Sequence, residues 1–182
     1  MKGIVFTEFT EMVEERFGLE TLEHMIANAD LPNGGAYTAV GDYHHGEVLR
    51  MVEQLSALTG VPGRQLVRAF GEHLFPRLAA GHPQFLVGVN CAFAFLASLG
   101  PHIHEEVRKL YPNAELPTID SRPLEPASME LTYRSIRPFG DLAEGLIRGC
   151  IRHFGDAIDL EREDLPVSSG HAVRFMLSAA AT

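Results

Sequence analysis

The spacing of apolar residues changes character along this chain, and the first change from helical to strand period falls near Pro112. Before it, apolar side chains recur every three to four residues, the repeat of one helix face. Residues 3–17 carry Val5, Phe6, Phe9, Met12, Val13 and Phe17 in this way, and 21–29 carry Leu22, Met25 and Ile26. Segments 43–59, 62–80 and 85–111 continue the pattern. After it, residues 115–120, 128–136, 156–163 and 171–178 alternate in twos, as strands do, with one more helix over 139–154. Helices first and strands later is the α+β arrangement: a helical N-terminal lobe followed by a lobe with an antiparallel sheet and a helix.

Punctuation supports these bounds. Gly18, Gly60 and Gly155 stop three of the helices, and Pro62 opens one. Asp42 is placed to cap the helix at 43–59. Pro76 and Pro101 fall inside helical segments; Pro76 predicts a kink, and Pro101 a kink or a restart. The stretch 31–41 is rich in turn formers, and a proline-containing loop joins the first two strands.

A length of 182 residues fits a single domain over 1–182 with a real core. The net charge of −9 and the lack of a basic stripe argue against nucleic acid and against an anionic membrane surface. No apolar run reaches membrane-spanning length. The opening residues are not a signal peptide, because Glu8 and Glu11 break the apolar stretch. Cys91 and Cys150 have no zinc spacing and read as free thiols, so the cytoplasm is the expected compartment.

Nine histidines invite a metal reading. His24, His44, His45, His73 and His82 lie among polar neighbours or at helix ends, where exposed or capping roles are expected. His153 sits near a helix C-terminus, where the dipole favours a cation. His171 flanks a strand. His102 and His104 share a helix but point apart: His102 lies with Ser98, Glu105, Glu106 and Lys109, whereas His104 lies with Phe93, Ala97, Gly100, Val107 and Tyr111. A lone histidine on an apolar face is more often a satisfied core residue than a ligand, though the small residues beside it leave room for a flat group. A second feature is Tyr133-Arg134-Ser135-Ile136-Arg137. In a strand, residues 133, 135 and 137 share a face, giving a row of three hydrogen-bond donors ending in a guanidinium. Such a row suits a carboxylate; an ordinary solvent-facing strand is the plainer alternative.

Taken in order, His104, Tyr111-Pro112, Pro117 and Tyr133-x-Ser135-x-Arg137 resemble the haem nitric oxide/oxygen binding (H-NOX) family and the haem domain of soluble guanylate cyclase. The opening MKGIVFTEF and the stretches ADLPNGGAYTAVG and RAFGEHLFPR are similar to the bacterial family. The resemblance implies haem b buried between the lobes, with His104 as axial iron ligand and Tyr133, Ser135 and Arg137 holding the propionates. It implies that Pro117 presses on and distorts the haem. Val5, Phe9, Leu74, Leu78, Leu142 and Leu146 would face the distal side, and Gly71 and Gly145 resemble hinge glycines, with close helix packing as their plainer role.

Family members that bind oxygen use a distal tyrosine; the matching position here is Leu142, with Phe9 and Leu74 at the supporting positions. The resemblance therefore implies sensing of NO, with CO also bound and O₂ excluded. In the implied switch, the bond from iron to His104 weakens, the haem relaxes against Pro117, and the lobes rotate. With no kinase or cyclase signature in the chain, the implied output is a separate protein, a histidine kinase or a diguanylate cyclase. No cysteine follows Cys150, so the zinc site of some relatives is not expected. Two rivals remain at this point: a haem peroxidase, which wants polar distal groups, and a haem-free lipid or small-carboxylate module with Arg137 on the acid.

Overall fold

The computed structural model describes residues 1–110, 115–124 and 127–180. In chain order the elements are α1 (Ile4–Phe17), α2 (Leu19–Asn28), α3 (Gly46–Thr59), α4 (Gly63–Gly81), α5 (Ala92–Ser98), α6 (His104–Leu110), β1 (Thr118–Leu124), β2 (Ser128–Ser135), α7 (Gly140–Phe154), β3 (Ile158–Leu165) and β4 (His171–Ala179). The fold is α+β, with an antiparallel sheet in the order β1-β2-β4-β3.

Each helix of the first lobe buries the stripe its period defines. In α1 that stripe is Phe6, Phe9, Met12 and Val13, and Phe9 meets Phe70 of α4 edge to face at 5.1 Å. Gly18 adopts φ 87° between α1 and α2, a conformation that side chains with a Cβ rarely hold. The stripes of α1 to α4 form one hydrophobic cluster. A second cluster joins Phe75 of α4, α5, Ile147 and Cys150 of α7, and the inner faces of β2 and β4. Met129, Leu131 and Tyr133 alternate inward on β2, as do Val173, Phe175 and Leu177 on β4. The outer face carries ion pairs such as Arg174–Glu163 at 2.8 Å.

The seam between the clusters is the contact of α4 with α7. Leu146 of α7 packs against both clusters. At Gly71 an added Cβ would stand 2.5 Å from the Leu142 carbonyl oxygen, and at Gly145 one would stand 2.1 Å from that of Arg68. The two helices therefore touch backbone to backbone.

Several expectations change. The segment 85–111 is not one helix. A 3₁₀ turn (Pro83–Leu86) comes first, Gly88 takes φ 78° and Cys91 is extended, and only then does α5 begin. A π-helical turn (Leu99–Ile103) holds Pro101 and leads into α6. Proline lacks the N–H a regular helix needs, and the wider turn absorbs that loss. By contrast α4 continues past Pro76 to Gly81. Asp42 does not cap α3. It pairs with Lys2 at 2.7 Å, and the Glu47 carboxylate accepts the His44 N–H instead. β1 runs on through Pro123, which an edge strand tolerates. Tyr111 and Pro112 lie outside the described residues.

Candidate functional site

His104 opens α6 immediately after the π-helical turn. That turn lies so close to β1 that a Cβ on Gly100 would stand 2.3 Å from the Ile119 carbonyl oxygen. The contact brings the start of α6 to the segment leading into β1, where Pro117 sits. The His104 imidazole is hydrogen-bonded to the Pro117 backbone. Burial holds the imidazole pKa below its ordinary value and the Arg108 cation adds to this, against the opposing effect of the Pro117 bond. The ring is therefore neutral at neutral pH. A carbonyl acceptor fixes the ring proton on one nitrogen and leaves the lone pair on the other, the form in which imidazole binds metal. Two residues singled out separately in the sequence thus form one unit. His102 is exposed, as its polar face requires.

Tyr133, Ser135 and Arg137 also come together, by a route the strand pattern does not give. β2 ends at Ser135. The chain then turns, with the Ser135 hydroxyl accepting the Arg137 N–H at 3.1 Å. The intervening Ile136 is thrown outward and is 78% exposed. Tyr133, on the inner face, is buried, which raises the pKa of its phenol despite a hydrogen bond to Ser135 and the nearby Arg137 charge. Gly170 braces the turn from behind: with φ 72°, its Cβ would meet the Ser135 carbonyl oxygen at 2.6 Å.

Arg137 is largely buried, with 13% of its side chain exposed. One of its terminal nitrogens donates to the Glu115 carbonyl at 3.3 Å and the other to the Glu115 carboxylate. Its Nε is buried, with no hydrogen-bond partner among the described residues. A guanidinium already gripping one carboxylate, with a donor to spare, is equipped to accept another anionic oxygen. These features fit a haem: a neutral imidazole, a carboxylate grip with an unsatisfied donor, and apolar residues for the flat macrocycle.

The six apolar residues lie on α1, α4 and α7. Phe9 and Leu74 are buried in the first cluster. Val5, Leu78, Leu142 and Leu146 pack against that cluster but stay part-exposed. None of the six carries a hydrogen-bond donor or acceptor in its side chain. Gly71 and Gly145 face each other across the α4–α7 seam, which agrees with the close-packing role.

Three features of the structure have no counterpart among the sequence expectations. Glu144 of α7 is only 3% exposed and is gripped by Arg68, Arg148 and Arg162. Glu115 occupies Arg137. His73, expected to be exposed, has 10% of its side chain exposed, and its Nε2 is buried 3.9 Å from Glu8. Apart from Arg148, four residues from Glu144 on the same helix, the partners lie far away in sequence or in a loop, so no local spacing announces them. His44 does act as expected, accepting the Gly46 N–H at 3.1 Å through Nδ1. Among the described residues no cluster of three or more histidine, cysteine or acidic side chains is placed to hold a metal ion.

The model of the family described as Haem-NO-binding matches residues 2–162. No curated protein matches in sequence. Among solved structures, the Fe(II) unliganded H-NOX protein from K. algicida is 35% identical, with a TM-score of 0.91, covering 100% of this chain and 98% of that one. The H-NOX from Shewanella woodyi, solved in the Fe(II)CO state, is 40% identical over 99% of this chain and 95% of its own, with a TM-score of 0.81. The H-NOX protein from S. oneidensis in the Fe(II)NO state is 25% identical with a TM-score of 0.90, and both chains are covered in full. This chain belongs to the Haem-NO-binding, or H-NOX, family of haem-based gas-sensing domains.

Proposed function

We propose that the protein senses nitric oxide at a single haem b, as one binding unit over 1–182, and reports it to a separate protein. His104 is the axial ligand in this reading, its lone pair aimed by the Pro117 carbonyl. Tyr133, Ser135 and Arg137 hold the propionates, and Arg137 Nε finds in them the partner it lacks. Pro117 bears on the macrocycle from the same side. Val5, Phe9, Leu74, Leu78, Leu142 and Leu146 form the wall on the gas side. The haem supplies a ferrous iron with one open position for a diatomic gas.

The observation that carries the choice of gas is the apolar character of those six residues. Bound dioxygen carries partial negative charge, and a wall without a donor forgoes ~1–3 kcal/mol of stabilisation. NO and CO depend far less on such a donor, so both bind and O₂ is excluded. Relatives have been solved with NO and with CO on iron, which supports these two ligands.

His104 and Pro117 link the iron side to α6 and β1, while the gas-side wall belongs to α1, α4 and α7. A change in the pull on His104 therefore acts between the two clusters, across the seam at Gly71 and Gly145. The output is a partner that binds the two arrangements unequally; the family resemblance points to a histidine kinase or a diguanylate cyclase. A sensor of this kind needs no catalytic group, and we assign none. Free Cys91 and Cys150 suit a reducing compartment, the cytoplasm. Among the described residues no helix is long and apolar enough to cross a membrane.

The test is an absorption spectrum of the haem-supplied protein, reduced without oxygen and then exposed in turn to air and to NO. A five-coordinate ferrous spectrum that NO changes and air does not convert to an oxy form is expected. His104→Gly should abolish that spectrum until free imidazole is added. A stable oxy complex would refute the gas assignment. Absence of any haem band would favour the carboxylate-binding module.

A further inference from the structure

Helix α7 presents two faces to two different tasks. Leu142 and Leu146 are four residues apart and share one face. Glu144 lies two residues from each, about 200° around the axis, on the opposite face. A carboxylate on the outer side of an amphipathic helix ordinarily meets water, yet Glu144 is buried. Three guanidinium groups from three elements enclose it. Arg68 of α4 donates to Oε1 at 3.2 Å, Arg148 of α7 to the same oxygen at 3.0 Å, and Arg162 of β3 to Oε2 at 3.1 Å. Arg162 is held in turn by Asp141 and by Asp164, the latter at 2.7 Å, and Arg64 of α4 reaches Asp141 at 3.3 Å.

Arg68 and Arg162 reach the carboxylate from two other elements and fix α7 against rolling, while Arg148, on α7 itself, holds the Glu144 carboxylate in place for them. A roll of about 20° would carry a side-chain head about 5 Å from the axis through roughly 2 Å, enough to break the bonds to Arg68 and Arg162. The glycine contact with α4 does not supply that restraint, because a smooth backbone surface resists approach and permits slip. The geometry points to Glu144 as a positioning residue: Arg68 and Arg162 set the roll of α7 through it, and α7 sets the aim of Leu142 and Leu146 at the bound gas. The gas-facing role of those leucines rests on the haem reading above. Burial alone would raise the Glu144 carboxyl pKa, but the hydrogen bonds from Arg148, Arg162 and Arg68 outweigh it and hold the group ionised. The grip is therefore in place across the neutral range.

The experiment compares wild type with Glu144→Gln, which keeps the shape and removes the charge. The haem-loaded ferrous–CO forms are read by the C–O stretching band and by CO dissociation, and the haem-free proteins by amide hydrogen exchange. We expect a broadened or split band, a change in dissociation of about threefold or more, and exchange over 141–147 faster by about tenfold relative to α1. Arg68→Gln removes one arm at a half-exposed side chain and should give the same changes in smaller measure if the first variant does not fold. A variant with lowered stability but the wild-type CO band and dissociation rate would overturn the proposal and leave Glu144 a purely structural pair. Should wild type take no haem, the gas reading fails alone. The exchange data then decide: acceleration confined to α7 sustains the positioning role, and a uniform or absent change ends it.

Discussion

Gly145→Ala adds one methyl group at the tightest point of the seam. On the present backbone the new carbon would stand 2.1 Å from the Arg68 carbonyl oxygen, 2.8 Å from Gly71 Cα and 2.9 Å from the Arg68 carbonyl carbon. All three are main-chain atoms, so no rotamer change relieves the clash. The helices must part by about 1 Å to reach ordinary contact. Alanine gains roughly 0.5–1 kcal/mol over glycine from helix propensity. Overpacking a close-packed contact costs roughly 1–3 kcal/mol, and a backbone-to-backbone clash belongs at the upper end. The net expectation is a loss of about 1–2 kcal/mol. Urea denaturation of the haem-free protein measures it as a lower midpoint at unchanged slope. Haem-loaded protein should also change its CO stretching band, because Leu142 and Leu146 ride on the displaced helix. Stability equal to or above wild type would refute the reasoning, since the propensity gain would then stand uncancelled and the helices would have to be looser than the glycine contacts show.

Two further outcomes test the proposed site itself. Arg137→Gln removes a charged grip on a carboxylate, an interaction of about 1.5–3 kcal/mol; haem transfer to an excess of an apo-globin, followed by absorbance, should run roughly tenfold to a hundredfold faster, and an unchanged rate would remove Arg137 from the clamp. Leu142→Tyr places a donor on the proposed gas-side wall and should raise oxygen affinity by roughly tenfold or more; oxygen titration of the reduced protein would show no gain if that side chain points elsewhere.

How far the sequence spoke depends on how local each signal is. Phe6, Phe9, Met12 and Val13 announce α1 because a helix face repeats within a few residues, and the alternation of Val173, Phe175 and Leu177 announces β4 for the same reason. The segment 85–111 misled because its apolar content is that of a helix, while Gly88 at positive φ and Pro101 in a π-helical turn interrupt it, leaving α5 and α6 as separate short helices. The clamp was legible as residue types but not as geometry: strand periodicity put Tyr133, Ser135 and Arg137 on one face, whereas a hydroxyl-capped turn delivers the last of them. Of the Glu144 hub only the Arg148 pair, four residues on, has a local spacing; the other two partners come from α4 and β3, and only packing brings those elements to one carboxylate.

The same contrast bears on how a signal could cross the molecule. A seam lined with side chains would absorb a small displacement by rotamer change. At Gly71 and Gly145 there are no side chains to yield, so a movement of α7 is passed to α4 as a rigid shift or not at all. On the far side of α7, Arg162 ties Glu144 to β3, and β3 pairs with β4 along its whole length, from Ile158 opposite Ala179 to Leu165 opposite Ala172. β4 pairs in turn with β2, where His171 faces Ser135 of the clamp. One rigid path thus runs from the proposed gas-side wall through α7 to the strand that leads into the proposed carboxylate grip. His104 and Pro117 close the circuit, because Pro117 leads into β1, which pairs with β2 from Thr118 opposite Arg134 onward. A pull at the imidazole and a push at the leucines therefore load the same sheet. Slip of α7 along the glycine contact is opposed by the hydrogen bonds that bridge the two helices, Arg68 to Glu144 and Arg152 to Glu72.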